Sequence, residues 1–197
     1  MKRLMMAAAT AMLATTPATA HEAVQDAGVH SRDATHAARR AAMAKLAFMH
    51  GEWRGPASGT NPDRSSFAVT QTERIGPMLG GDILVIEGRG YNPDGATGFN
   101  AFAVISWDAE TDAYEMRSYA HGYAGTFPLR LTDSGYVWEV PAGPGVMRYE
   151  ADVTPTTYHE VGDFVMPGQP PHRSFEMTLT RRGDTEWPAA GAVPPTN

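Results

Sequence analysis

The chain has 197 residues, 42% hydrophobic and 19% charged, enough for one domain with a real core and a tail and too apolar for a disordered chain. A net charge of −6 without any large Lys/Arg cluster argues against generic nucleic-acid binding. The absence of cysteine excludes disulfides, thiolate catalysis, cysteine-held metals and a lipid anchor on an N-terminal cysteine.

Met1-Lys2-Arg3 is a short positive start, Leu4 to Ala14 is apolar, and Ala18-Thr19-Ala20 has the small-x-small pattern of a cleavage site. Residues 1–20 therefore read as a secretory signal peptide, which predicts a periplasmic or secreted protein. The apolar run is too short for a membrane span. Loss of Lys2 and Arg3 with this leader makes the exported chain two units more negative. Residues 21–32 are polar and unpatterned, the mark of a flexible lead-in. Residues 33–50 are rich in helix formers, with Ala38, Ala41, Ala42, Lys45, Leu46 and Met49 in a stripe at helical spacing, and predict an N-terminal helix ended by His50-Gly51.

From Trp53 onward the period changes. Short β-favouring runs alternate with turn signals such as Asn92-Pro93-Asp94-Gly95, Thr132-Asp133-Ser134-Gly135 and Pro167-Gly168. Residues 51–183 predict about ten antiparallel strands joined by hairpin-length loops. That pattern fits an up-and-down β-barrel, because closure removes the unpaired edges of so long a meander. Glycines inside the runs (Gly88, Gly90, Gly125, Gly162) mark expected bends and bulges. Residues 184–197 form a Pro-rich tail.

"LAFMHGEW", "ERIGPMLGGDILVIEGRGYN", "FAVISWDAETDAYEMRSYA" and the closing "FEMTLTRRG" together resemble the calycin-type barrels, the lipocalins, fatty-acid-binding proteins and nitrobindin-like proteins. They are most similar to a bacterial family of exported barrels of unknown function. The likeness covers most of residues 46–183. It implies a ligand-sized cavity, with Gly51 and Trp53 at a closed bottom that the indole plugs, and it implies no established activity. Nitrobindin-like barrels bind haem through a histidine near the C-terminal strands. Here "RSFEMTLTRR" has none inside the strand; His172 precedes it and His159 lies one hairpin earlier, with the Met177 thioether as a weak substitute. No haem and no other cofactor is expected.

No nucleophile elbow, P-loop, dinucleotide fingerprint, H-E-x-x-H or EF-hand pattern occurs, so no catalytic residue is assigned. No metal is assigned either: His21 as a mature N-terminus could offer its amine and imidazole to copper, but copper sites need ligands held rigidly. Arg117, Tyr119 and His121 share one face by alternation, opposite Tyr114, Met116 and Ser118. Placed inward with Trp138, Gln71, Glu73 and Arg148, they would receive the acidic or polar head of a small hydrophobic or amphipathic molecule, with Glu73 or Glu139 available to pair a buried guanidinium. Alternation defines the two faces without saying which points inward, so the opposite assignment stays open. Three readings follow: a binding barrel of unknown ligand, which is preferred, an enzyme using His121 or Glu73 as a base, and a structural homodimeric barrel. A perturbed carboxylate or histidine deep in a roomy pocket would favour the enzyme.

Overall fold

The computed structural model describes residues 34–185 and 187, and the architecture below lies in the unit that begins at Thr35. The signal peptide, the lead-in with His21 and most of the Pro-rich tail lie outside the described residues. Residues 34–44 form the helix α1, and a 3-10 turn, Ala47–Met49, delivers the chain to the first strand. Among the described residues there are ten strands: β1 (Gly51–Thr60), β2 (Ser66–Met78), β3 (Ile83–Tyr91), β4 (Thr97–Asp108) and β5 (Ala113–Ala120), then β6 (Tyr123–Leu131), β7 (Gly135–Ala142), β8 (Gly145–Val153), β9 (Thr157–Val165) and β10 (His172–Gly183). No helix among these residues is long and apolar enough to cross a membrane.

Each strand pairs antiparallel with its sequence neighbours, and β1 pairs with β10, so the meander closes into a barrel. Ala57, for example, lies opposite Val69 on one side and Met177 on the other. Closure gives every strand a partner on both sides, which removes a free sheet edge, although β6 and β7 pair only from Leu129 to Leu131. The chain is mainly β, as its alternation predicts.

The barrel has one packed end. Leu46 and Met49 are fully buried, Trp53 is 2% exposed, and Ile75, Leu84, Ile105 and Leu179 are buried with them. The indole N–H of Trp53 donates to the carbonyl of Met49 at 3.0 Å, so the plug carries no unpaired donor. Arg181 sets its guanidinium 6.0 Å from the Trp53 ring centroid and donates to the His50 carbonyl and to Asp184. Tyr114 donates its hydroxyl to the carbonyl of Ala42 at 2.7 Å, which ties the end of α1 to β5 at an oxygen that also accepts from the Lys45 amide. Gly51 is required here. Its φ of +146° disfavours any side chain, and a Cβ would meet Arg181, Gly183 and the Trp53 indole within 3.3 Å.

Candidate ligand cavity

Above this plug the barrel is hollow. The cavity has a volume of about 1620 Å³ and opens at the end formed by the β1–β2, β3–β4, β5–β6, β7–β8 and β9–β10 turns. Its middle is a ring of aromatic walls. Trp138 and Tyr149 lie opposite each other on β7 and β8 and stack at 4.5 Å with a 15° tilt. Phe127 meets Trp138 at 5.6 Å, and Phe175 meets Tyr149 edge-on at 6.1 Å. Such rings give an apolar, rigid lining at little entropic cost.

The floor is polar. Tyr158 packs edge-on against Trp53 at 5.7 Å, so the floor rests directly on the plug. Tyr136 donates to Glu160 Oε2 at 2.6 Å and makes a close hydroxyl contact with Tyr158. Gln71 donates its amide to Glu73 Oε1 at 2.7 Å, while Glu73 Oε2 is buried without a hydrogen-bond partner. Gln71 and Glu160 are buried; Glu73 as a whole residue keeps partial access through the cavity it lines. Gly88 stands opposite Glu73 on β3, and a Cβ there would lie 2.8 Å from both carboxyl oxygens. The glycine leaves the space that this carboxyl fills.

Burial dominates the electrostatics. It pushes the Glu73 carboxyl up to about 8, opposed by the Gln71 hydrogen bond and reinforced by the charges of Glu160 and Glu87. It pushes Glu160 up to about 7, against the hydrogen bonds from Tyr136 and Tyr158. Tyr149 is pushed up to about 12, and Tyr136 and Tyr158 well above the usual phenol value, by burial and then by Glu160, so all three stay neutral. The floor thus holds two carboxyls that exchange protons near neutral pH.

The structure divides the residues singled out from the sequence. Glu73, Gln71 and Trp138 line the cavity, and His121 lines only its mouth, in the β5–β6 turn with φ of +51° and its ring 5.2 Å from Phe99. Arg117, Tyr119 and Arg148 do not face inward, and that expectation is corrected. Tyr119 is 42% exposed and accepts a hydrogen bond from Arg117 Nε at 2.8 Å on the outer surface. Arg148 is exposed beside Glu150. On β5 the inward set is Tyr114, Met116 and Ser118, because Met116 meets the core and Ser118 the cavity. Both faces of that strand carry rings and polar groups, so alternation alone left the choice open. The sequence reading passed over Glu160, Tyr136, Tyr158 and Tyr149. The signal was present: Tyr158 and Glu160 share a face by alternation, as do Tyr136 and Trp138.

Haem held by an interior histidine does not fit these residues. His159 points outward to Glu176 at 3.1 Å, and His172 and His121 stand at the mouth. Met177 does reach the cavity lining, but as part of the packed core. Among the described residues no cluster of three or more His, Asp or Glu side chains is placed to hold a metal ion.

No protein-family model matches the chain, and no curated protein does. Among solved structures it is similar to Rv2717c from M. tuberculosis, with a TM-score of 0.54 and 13% identity over 72% of this chain and 97% of that one. It also matches an S-type phycobiliprotein lyase, CPES, from Guillardia theta, with a TM-score of 0.47 and 10% identity over 72% of this chain and 92% of the other. At 13% identity the likeness to Rv2717c is one of fold. The Rv2717c match and the closed ten-strand meander fit a calycin-like barrel.

Proposed function

We propose that this protein binds one small, partly apolar molecule inside the barrel, and does so in the periplasm or outside the cell, delivered there by the signal peptide read in residues 1–20. The observation that carries the binding reading is the cavity itself. Its volume of about 1620 Å³ exceeds what most small ligands need, since ligand pockets commonly span about 300–1,000 Å³. Its aromatic walls suit a ring or chain, and its floor suits a polar head. With Arg117 and Arg148 outside, no deep guanidinium remains among the described residues to receive an acidic head, so that part of the expectation loses its support.

The test is uptake of a neutral fluorescent probe, N-phenyl-1-naphthylamine. The wild type is expected to enhance its emission, and Ser118→Trp, which fills the lumen from β5, to abolish the enhancement with an unchanged far-ultraviolet dichroism spectrum. Equal uptake by both proteins would place the probe elsewhere and remove the reading. The export half is checked separately by N-terminal sequencing of protein recovered from its own host: a chain beginning at His21 supports it, and one that keeps Met1 contradicts it.

A second reading has its own observation. Two carboxyls near neutrality in a roomy cavity are what general acid–base catalysis needs. Glu160 would take a proton from a carbon acid and Glu73 would return one. Exchange of solvent deuterium into enolisable ketones, lost on Glu160→Gln, would establish it.

A further inference from the structure

With its two carboxyls ionised, the floor is rich in hydrogen-bond acceptors and poor in donors. The Tyr136 and Tyr158 hydroxyls touch each other and both bond Glu160, so their two protons are held within this cluster. Gln71 spends an amide proton on Glu73 Oε1. What remains without a partner is Glu73 Oε2, a buried oxygen of a residue that lines the cavity. Among the described residues no cation balances the two acids from inside. The basic side chains that line the cavity are Arg64, His121 and His172, all at the mouth, and Arg117 and Arg148 are outside the barrel. A buried carboxyl oxygen without a partner costs stability, and a chain that opens space for it at Gly88 has accommodated it in its shape.

Building on the binding reading, we propose that the cavity selects molecules with a protonated nitrogen head, an ammonium or amidinium on an apolar or aromatic body, seated against Glu73 Oε2 with Glu160 as the second counter-charge. The head supplies the donors that the floor lacks, in charge-assisted bonds that strengthen away from water. The Trp138–Tyr149 stack lines the same cavity and offers an aromatic wall to the ligand's body. Because the free floor holds protons near neutrality, a bound cation displaces one, and affinity rises with pH while the ligand nitrogen stays charged.

Three probes that share a ring and differ in the head test this by titration calorimetry at pH 8: 1-naphthylmethylamine, 1-naphthalenemethanol and 1-naphthoic acid. The amine is expected to bind about tenfold or more tighter than the alcohol, and the acid weakest. Amine binding should release a fraction of a proton, about half a proton from Glu73 at this pH, seen as a heat that changes with the buffer's ionisation enthalpy. Glu73→Gln and, independently, Glu160→Gln should each erase most of the amine's advantage over the alcohol; two variants guard against one failing to fold. Alcohol and amine binding alike, or the acid binding tightest, overturns the selectivity and leaves the binding reading in place. If no probe binds, while the wild type also gives no more emission with N-phenyl-1-naphthylamine than Ser118→Trp does, the binding reading falls and the selectivity with it.

Discussion

The two ends of this barrel use similar residues for opposite purposes. At the closed end Leu46, Met49, Trp53, Ile75, Leu84, Ile105 and Leu179 pack with almost no exposure, and the one polar atom of the indole is paired. Toward the open end Phe67, Phe99, Phe127, Trp138 and Tyr149 also face inward, but they leave each other partly accessible around a lumen. The difference lies in what comes from outside the sheet: α1 and the 3-10 turn fill the lower end with Met43, Leu46 and Met49, and no described element fills the upper one. Stability is concentrated below and binding space above, with the two carboxyls at the boundary.

That division is broken most directly at the plug. Trp53→Ala should cost ~3–5 kcal/mol in urea unfolding, since it opens a cavity and strips the Met49 carbonyl of its donor. A loss below ~1 kcal/mol would mean that the closed end is not the stabilising half.

The boundary should be felt through pH. In the unfolded chain Glu73 and Glu160 lose their protons near 4.5, whereas in the folded barrel they hold them to about 8 and about 7. Between those values the folded state binds more protons, so raising the pH from about 5 to about 9 should lower stability, by up to ~1.4 kcal/mol per pH unit for each group. Glu73→Gln should flatten this slope in denaturation curves taken across the range. A stability that climbs over the same interval would show the carboxyls to be solvated.

Smaller effects sharpen the contrast. Phe127→Ala, in a wall that already faces a void, should cost only ~1 kcal/mol while weakening probe uptake. A cost equal to that of Trp53→Ala would erase the distinction between the ends. Arg117→Met, on the outer face, should shift stability by no more than ~0.5 kcal/mol and leave probe uptake unchanged.

Most of the architecture was legible in the chain because strand alternation and turn residues are local signals. The period-2 runs between Trp53 and Gly183 became the ten described strands, and the Gly51-Glu52-Trp53 start became the plug. The site was legible only in part. Glu73, Gln71 and Trp138 stand in runs whose inward face is marked by their neighbours. On β5 the sequence offers Tyr114, Met116 and Ser118 against Arg117 and Tyr119, and only packing against β4 and β6 decides between them. Glu160 was hidden for another reason. A carboxyl in a strand reads as solvent-facing by default, and its burial follows from contacts with Tyr136, far away in sequence. The void that raises both acids is a property of the closed barrel as a whole and of no single run.

The central claim is that a desolvated pair of carboxyls forms the floor of an open cavity, and carbon-13 NMR of the glutamate side-chain carboxyls against pH tests it most directly. Two resonances are expected to titrate near pH 8 and near pH 7, assigned by their loss in Glu73→Gln and Glu160→Gln respectively. If every glutamate carboxyl in the folded protein titrates near 4.5, the floor is wet and the account of the site is wrong.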